Sequence, residues 1–298
     1  MKALVIGASG AFGGAVAREM IERGIHVTAM VRPGGSAVAL DVATVQGDAL
    51  VAEDVLRAAR GQDVIVFGFH VPYTQWDPVA VDAARNVAAA ARAVGATVLF
   101  PGNVYTLPTS DAPLDERTEP APRTKLGRIR VEMEAIFERA ARDSDAQVIV
   151  LRAGDFIAPS DNSWLTHLVK ARSVADPAPA GVPHSWAYLP DLARVGVELL
   201  LRRDQLAPFE VFHYSGYQLT SQQLHEALAE ALGEQRPVKR FPWWGLKLAS
   251  PFWPMGRALL GMRYLWQEPL LLDERKLQAC LGDVPRTPLS QALAAAVS

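Results

Sequence analysis

Residues 3–24 read ALVIGASGAFGGAVAREMIERG, and the reading of this stretch decides the fold. Ala3 to Ile6 is a short apolar run that ends at Gly7. Phe12 to Arg23 follows, with Val16 and Met20 four residues apart, until Gly24 stops the pattern. The spacing predicts strand, turn and helix. Gly7, Gly10 and Gly13 stand at three-residue intervals in the turn. The first allows a tight reversal, the second lets backbone approach a diphosphate, and the third permits close packing of helix on strand, while the exposed helix amides attract the anion. A bare glycine triplet occurs widely; one set between a strand and a helix points to nucleotide binding.

Working outward, Ile25 to Val31 reads as a second strand, Leu50 to Arg60 as a helix, and Val64 to Phe67 as a buried strand. Val79 to Val94 is an alanine-rich helix halted at Gly95, Thr97 to Phe100 a strand, Arg128 to Arg142 a charged amphipathic helix, and Gln147 to Leu151 a further buried strand. Short apolar runs alternating with long helices require parallel strands joined by crossovers, so the expected class is α/β, a doubly wound parallel sheet. After Arg152 the alternation weakens and prolines gather at 177, 179, 183 and 190. Asp191 to Arg203 predicts a helix with Asp191 as its cap, and Thr220 to Leu232 another. The expected division is a dinucleotide-binding unit over residues 1–155, rejoined at about 185–215, and a smaller mixed lobe for substrate over 156–184 and 216–298.

Thirty basic against 32 acidic residues give a net charge of −2, which as a total leaves no footprint for nucleic acid or an anionic membrane and points to a small-molecule partner. Cys280 is the only cysteine, so an internal disulfide and a multi-cysteine metal site are excluded and a reducing cytoplasm fits. The N-terminus lacks the features of a signal peptide. The six histidines, at 26, 70, 167, 184, 213 and 225, show no ligand spacing, and no metal site is expected. The most apolar stretch, 241–266, is broken by prolines, Lys247, Arg257 and Arg263 and is not a transmembrane segment. Its aromatic density fits a substrate lid or a subunit interface, leaving a homodimer open, better than attachment to lipid.

About 20 residues beyond the glycine turn, where a carboxylate would bind the adenosine ribose, the sequence AMVRPGG offers Arg32 instead. A guanidinium there can pair with a 2′-phosphate, which favours NADP(H), with NAD(H) still admitted. Asp48, in Gln46-Gly47-Asp48-Ala49 after the third strand, is placed to accept from the adenine amino group or to cap the next helix.

GASGAFG, GDAL after strand three, ARNVAAAARAVG, LFPGNVY after strand five, VIVLRAGDFIAPS and HSWAYLPDLAR together resemble the atypical and extended short-chain dehydrogenase/reductases, which include nucleoside-sugar epimerases, dehydratases and NmrA-like relatives. The resemblance implies an NAD(P)-binding Rossmann fold. The glycine turn (Gly7, Ser9, Gly10, Ala11, Phe12, Gly13), with Arg32, Asp48, Ala49 and Gly68, would hold the cofactor. The nicotinamide would lie along Phe69, Asn103, Ala153 and Gly154. The family's serine, tyrosine and lysine fall on Pro101, Leu126 and Arg130, so all three catalytic slots are altered. Arg130 keeps the positive charge and can bind nicotinamide ribose or phosphate, but a guanidinium is a poor proton donor.

Lys125, if desolvated, and Tyr105 are the candidate acids, with Lys125 ranked first. His70, Tyr73, Asp155, Trp164, His184 and Trp186 are the candidate substrate wall. The expectation is an NADP(H)-dependent oxidoreductase acting on a small, rather apolar carbonyl or alcohol. The alternatives are an NADP(H)-binding sensor without turnover and a nucleotide-sugar epimerase or dehydratase.

Overall fold

Hydrogen-bonded neighbours in the central sheet run in the order β10-β6-β5-β4-β1-β2-β3, all parallel. The strands are β1 (Lys2–Ile6), β2 (His26–Val31), β3 (Ala43–Gln46), β4 (Val64–Phe67), β5 (Thr97–Asn103), β6 (Gln147–Ala153) and β10 (Phe209–Tyr214). The structure is a computed structural model and describes residues 1–35, 39–158, 174–235 and 237–297. From β1 the chain steps outward to β2 and β3, then returns to β4 on the other side of β1. The strand order therefore reverses between β1 and β4, where a crevice opens beyond the carboxyl ends. Gly7 and Gly68 follow those two strands.

Helices cover both faces, as buried parallel strands require. One core packs the sheet against α2 (Ala52–Ala59), α3 (Trp76–Val94) and α4 (Lys125–Arg142). The other packs it against α1 (Ala11–Glu22), α5 (Leu189–Leu201) and α10 (Arg275–Leu281). A second sheet joins β7 (Asp155–Ile157), β9 (Pro183–Tyr188) and β11 (Tyr217–Thr220), and buries its apolar face under α6 (Ser221–Leu232) and α11 (Leu289–Val297). A two-stranded ribbon pairs β8 (Val174–Asp176) with β12 (Val238–Arg240). Three short helices, α7 (Trp243–Ala249), α8 (Pro254–Gly261) and α9 (Tyr264–Gln267), lie between this ribbon and α10 in the chain.

Several boundaries differ from the sequence expectation for local reasons. Helix α4 begins at Lys125 rather than Arg128 because the Thr124 hydroxyl accepts from the Gly127 amide at 3.1 Å, a threonine cap placed before the charged pattern starts. Strand β5 runs three residues past Phe100 because its register with β6 holds through Asn103 opposite Ala153. Asp191 does not cap α5. The helix starts at Leu189, and the fully buried Asp191 carboxylate accepts from Thr287 N at 2.6 Å and Thr287 Oγ1 at 2.8 Å, tying α5 to the approach to α11. Thr220 does cap its helix, in a reciprocal box with Gln223. The segment that rejoins the central sheet is α5 and β10, whereas β9 belongs to the second sheet.

Candidate active site

At the β1–α1 turn the glycines are sterically required. A Cβ on Gly7, which has φ of 80°, would sit 2.3 Å from the Gly68 carbonyl oxygen, and one on Gly13 would sit 2.4 Å from the Gly7 carbonyl oxygen. Both contacts are to backbone, which cannot swing aside. The turn is closed by the Gly10 amide donating to the Gly7 carbonyl at 2.9 Å, and Ser9, Gly10 and Ala11 remain exposed, whereas Phe12 is buried beneath them. Helix α1 has no side-chain cap and no acidic residue in its first turn. Its leading amides are thus left open for an anion, which the end of the helix favours. A cleft of about 240 Å³ opens directly over this turn, lined among others by Ser9, Gly10, Ala11, Gly14, Arg18 and Leu189. These features fit a dinucleotide diphosphate.

Arg32 is exposed just past β2. Asp48 accepts from the Leu50 amide at 3.0 Å, and its own amide donates to Asp54 at 3.0 Å, so the turn before α2 is held by two carboxylates. Ala49 is buried, with its carbonyl fixed by Asn86 at 3.0 Å.

A second cluster, beyond the ends of β4 and β5, is built from side chains. The hydroxyls of Tyr73 and Tyr105 lie 3.1 Å apart, carried by the turns after β4 and β5. Asn103 accepts from the Tyr105 amide at 3.1 Å and so sets that turn. Trp76 meets Tyr73 edge-on, with centroids 5.2 Å apart, lies tilted 6.5 Å from Tyr105, and is anchored by its indole donating to Val71 O at 2.9 Å. Arg130, buried on α4, stacks on Phe100 at 4.6 Å and Trp76 at 5.6 Å and donates to the Pro101 carbonyl. Its Nε is buried without a hydrogen-bond partner among the described residues, a donor left available to a ligand.

Electrostatics bind these groups into one cluster. Burial pushes the Arg130 guanidinium down to about 10, opposed by Glu134 and the two phenols. Burial raises Tyr105 well above an ordinary phenol and raises Tyr73, and in each case the Arg130 charge pulls the other way. Asp155, at the start of β7, is exposed to solvent on one side yet closely ringed by protein, and this desolvation raises its carboxyl to about 6. Its charge acts on both phenols. His70, whose ring meets Tyr73 edge-on at 6.3 Å, has its pKa lowered by burial and by Arg130. Gly154 precedes Asp155 where a Cβ would strike the Ser185 carbonyl oxygen at 1.9 Å, so only glycine lets the second sheet approach the cleft here. Phe69 packs beside this cluster on Phe67, at 6.1 Å between ring centroids, and Ala153 is buried at the end of β6.

The remaining expected site residues lie elsewhere. Lys125 is two-thirds exposed and pairs with Asp77 at 2.5 Å, so the desolvation on which its role depended is not met. Trp186 packs inside the second-sheet core with Ile157, Tyr188 and Leu224. His184 is buried on β9, bridged to Leu270, and its pKa is lowered mainly by burial. Trp164 and His167 lie outside the described residues. Trp76 was not among the expected site residues; its position three residues after Tyr73, in FHVPYTQW, was the available signal.

A parallel sheet with a glycine turn at its switch point and an open helix N-terminus defines a dinucleotide-binding α/β protein. The NAD(P)H-binding family model matches residues 7–174, more than half of the chain, and the chain belongs to that family. No curated protein matches its sequence significantly. Among solved structures, MoeE5 in complex with UDP-glucose and NAD is 18% identical, with TM-score 0.78 over 100% of this chain and 97% of that one. UDP-glucose 4-epimerase of Thermus thermophilus in complex with NAD is 17% identical, with TM-score 0.76 over 100% and 98%. A nucleoside-diphosphate-sugar epimerase of Staphylococcus aureus is 19% identical, with TM-score 0.74 over 99% and 100%. At these identities the likeness is one of fold.

Proposed function

We propose that the chain is an NADP(H)-dependent oxidoreductase acting on a small, rather apolar carbonyl or alcohol. The observation that carries this reading is the pair of hydroxyls on Tyr73 and Tyr105, 3.1 Å apart beside the buried charge of Arg130. The glycine turn, Arg32, Asp48, Asn103 and Arg130 would hold the cofactor, which when bound supplies or accepts a hydride at its nicotinamide. Tyr105 hydrogen-bonds the substrate oxygen and gives it a proton as negative charge develops there. Tyr73 donates to the phenolate left behind, and Arg130 offsets its charge in a site of low dielectric. Asp155 works against that phenolate when ionised, so its protonated form favours reduction. Phe69, Trp76 and Phe100 exclude water from the reacting face.

The test is oxidation of NADPH, followed by the near-ultraviolet absorbance of the reduced nicotinamide, against a panel of aldehydes, ketones and enones. Turnover that falls roughly 100-fold in Tyr105→Phe, with NADPH affinity unchanged, supports the assignment. Tight NADPH binding with no consumption anywhere in the panel would instead mark a sensor, and turnover confined to nucleotide sugars an epimerase or dehydratase.

A further inference from the structure

The acid-free stretch near the C-terminus has a feature that substrate binding does not use. Of the chain's 30 basic residues six fall within 235–267, namely Arg236, Lys239, Arg240, Lys247, Arg257 and Arg263, and of its 32 acidic residues none does. The small net charge therefore conceals a strongly basic segment set against an acidic remainder. The same segment contains four of the seven tryptophans.

The structure sorts its large apolar side chains into an inward and an outward set. Trp243 and Trp266 point inward, stacked at 5.8 Å, and the Trp243 indole donates to the Pro177 carbonyl at 3.1 Å. Trp244, Leu248, Phe252 and Trp253 point outward, exposed by 73%, 70%, 92% and 47%. Large exposed apolar residues elsewhere among the described residues are single or paired aliphatics. Helix α7 sets Trp244, Lys247 and Leu248 at i, i+3 and i+4 on one face, and the turn to α8 adds Phe252 and Trp253. Gly256 allows α8 to close against Trp253 and Leu246, so the hairpin is rigidly packed behind its exposed tip. Among the described residues no carboxylate pairs with Lys239, Arg240, Lys247, Arg257 or Arg263: Arg257 caps the Pro251 carbonyl at 2.8 Å, and Arg263 stacks on Trp243 at 5.2 Å.

We infer that the α7–α8 hairpin docks on the interface of an anionic lipid bilayer, with Trp244, Leu248, Phe252 and Trp253 entering the headgroup region, Lys247 beside them at the lipid phosphates, and the positive charge of the other described cations adding to the attraction. Tryptophan and phenylalanine prefer that interface, and unpaired lysine and arginine beside them add attraction to anionic headgroups. A second copy is the poorer occupant. A two-fold contact would place the same unpaired positive charges against each other. Among the described residues no helix is long and apolar enough to cross a membrane, so the attachment is peripheral. The other side of α8 packs on the Tyr73–Gln75 turn, which puts the docked face beside the candidate substrate cleft.

The experiment is co-sedimentation of the full chain with vesicles of equal parts phosphatidylglycerol and phosphatidylcholine, compared with pure phosphatidylcholine. Binding at least about tenfold tighter to the anionic vesicles, lost in molar sodium chloride and lost in Trp244→Ser/Phe252→Ser, is the expected result. Thermal melting checks that the variant is folded. If it is not, Lys239→Glu/Lys247→Glu, at exposed positions, carries the test with the same expected loss. No sedimentation with anionic vesicles, equal binding to both compositions, or binding untouched in the folded variants overturns the inference. So does a dimer that Phe252→Ser dissociates in the absence of vesicle binding, which would give the hairpin to a second copy.

Discussion

The two ends of the candidate site are made of different material. The proposed diphosphate end is backbone: three glycines, the uncapped amides of α1 and a neighbouring glycine just past β4. The proposed reacting end is side chains from three separate connections: Tyr73 after β4, Tyr105 after β5 and Asp155 after β6, with Arg130 reaching in from α4. The backbone end has a signature in local spacing because each glycine answers a contact within the same turn or one strand away. The side-chain end has none, because its members come together only when β4, β5 and β6 line up in the sheet.

The sharpest way to break this contrast is at the backbone end. Gly13→Val pushes a branched side chain against the Gly7 carbonyl, to which even a Cβ would lie at 2.4 Å, with no rotamer to relieve it. Dinucleotide affinity should fall about 100-fold or more, a cost of roughly 3 kcal/mol, read by calorimetry. Near-normal affinity would mean that the turn does not bind the diphosphate.

Arg32→Asp tests the adenosine end by charge alone. Losing a charge-assisted contact to a 2′-phosphate should weaken NADPH binding by about 2 kcal/mol, roughly 30-fold, and leave NADH binding within a few-fold. Equal effects on both would remove the reason for preferring NADP(H).

At the reacting end the expected effect is smaller and depends on pH. Asp155 is raised to about 6, so its carboxyl is protonated below that value and ionised above it. Reduction, which leaves charge on the phenol pair, should therefore slow by about tenfold as pH rises through this region, and the opposite reaction should speed up. Asp155→Asn cannot ionise, and its pH–rate profile should lose that limb. A limb that persists in the variant would assign it to another group.

The smallest effect is expected at Lys125. Its ammonium is exposed and paired with Asp77, so Lys125→Met should change turnover by less than about twofold and stability by under about 1 kcal/mol. Loss of most turnover would return Lys125 to the position of acid.

Much of the central sheet was legible in the chain. Val64–Phe67 is found with the expected ends, and the helix expected after the glycine turn begins one residue early. Buried parallel strands are short uninterrupted apolar runs, and their helices carry a 3.6-residue period, so both patterns are local. The second sheet was not seen. Its strands β7, β9 and β11 are three to six residues long, and β9, PHSWAY, has neither a clean alternation nor a long apolar run. Asp191 shows the same limit: an aspartate near a helix start reads as a cap, but its partner, Thr287, lies 96 residues away.

Sequence alone thus determined the nucleotide-binding fold and its glycine turn, because both depend on residues within a turn or a helix of one another. Only the tertiary structure joined Tyr73 to Tyr105, buried Arg130 against Trp76, brought the charge of Asp155 to bear on both phenols and turned Trp244 and Phe252 outward. Proton chemistry and surface docking both depend on distance and solvation, and those are fixed by how distant segments pack.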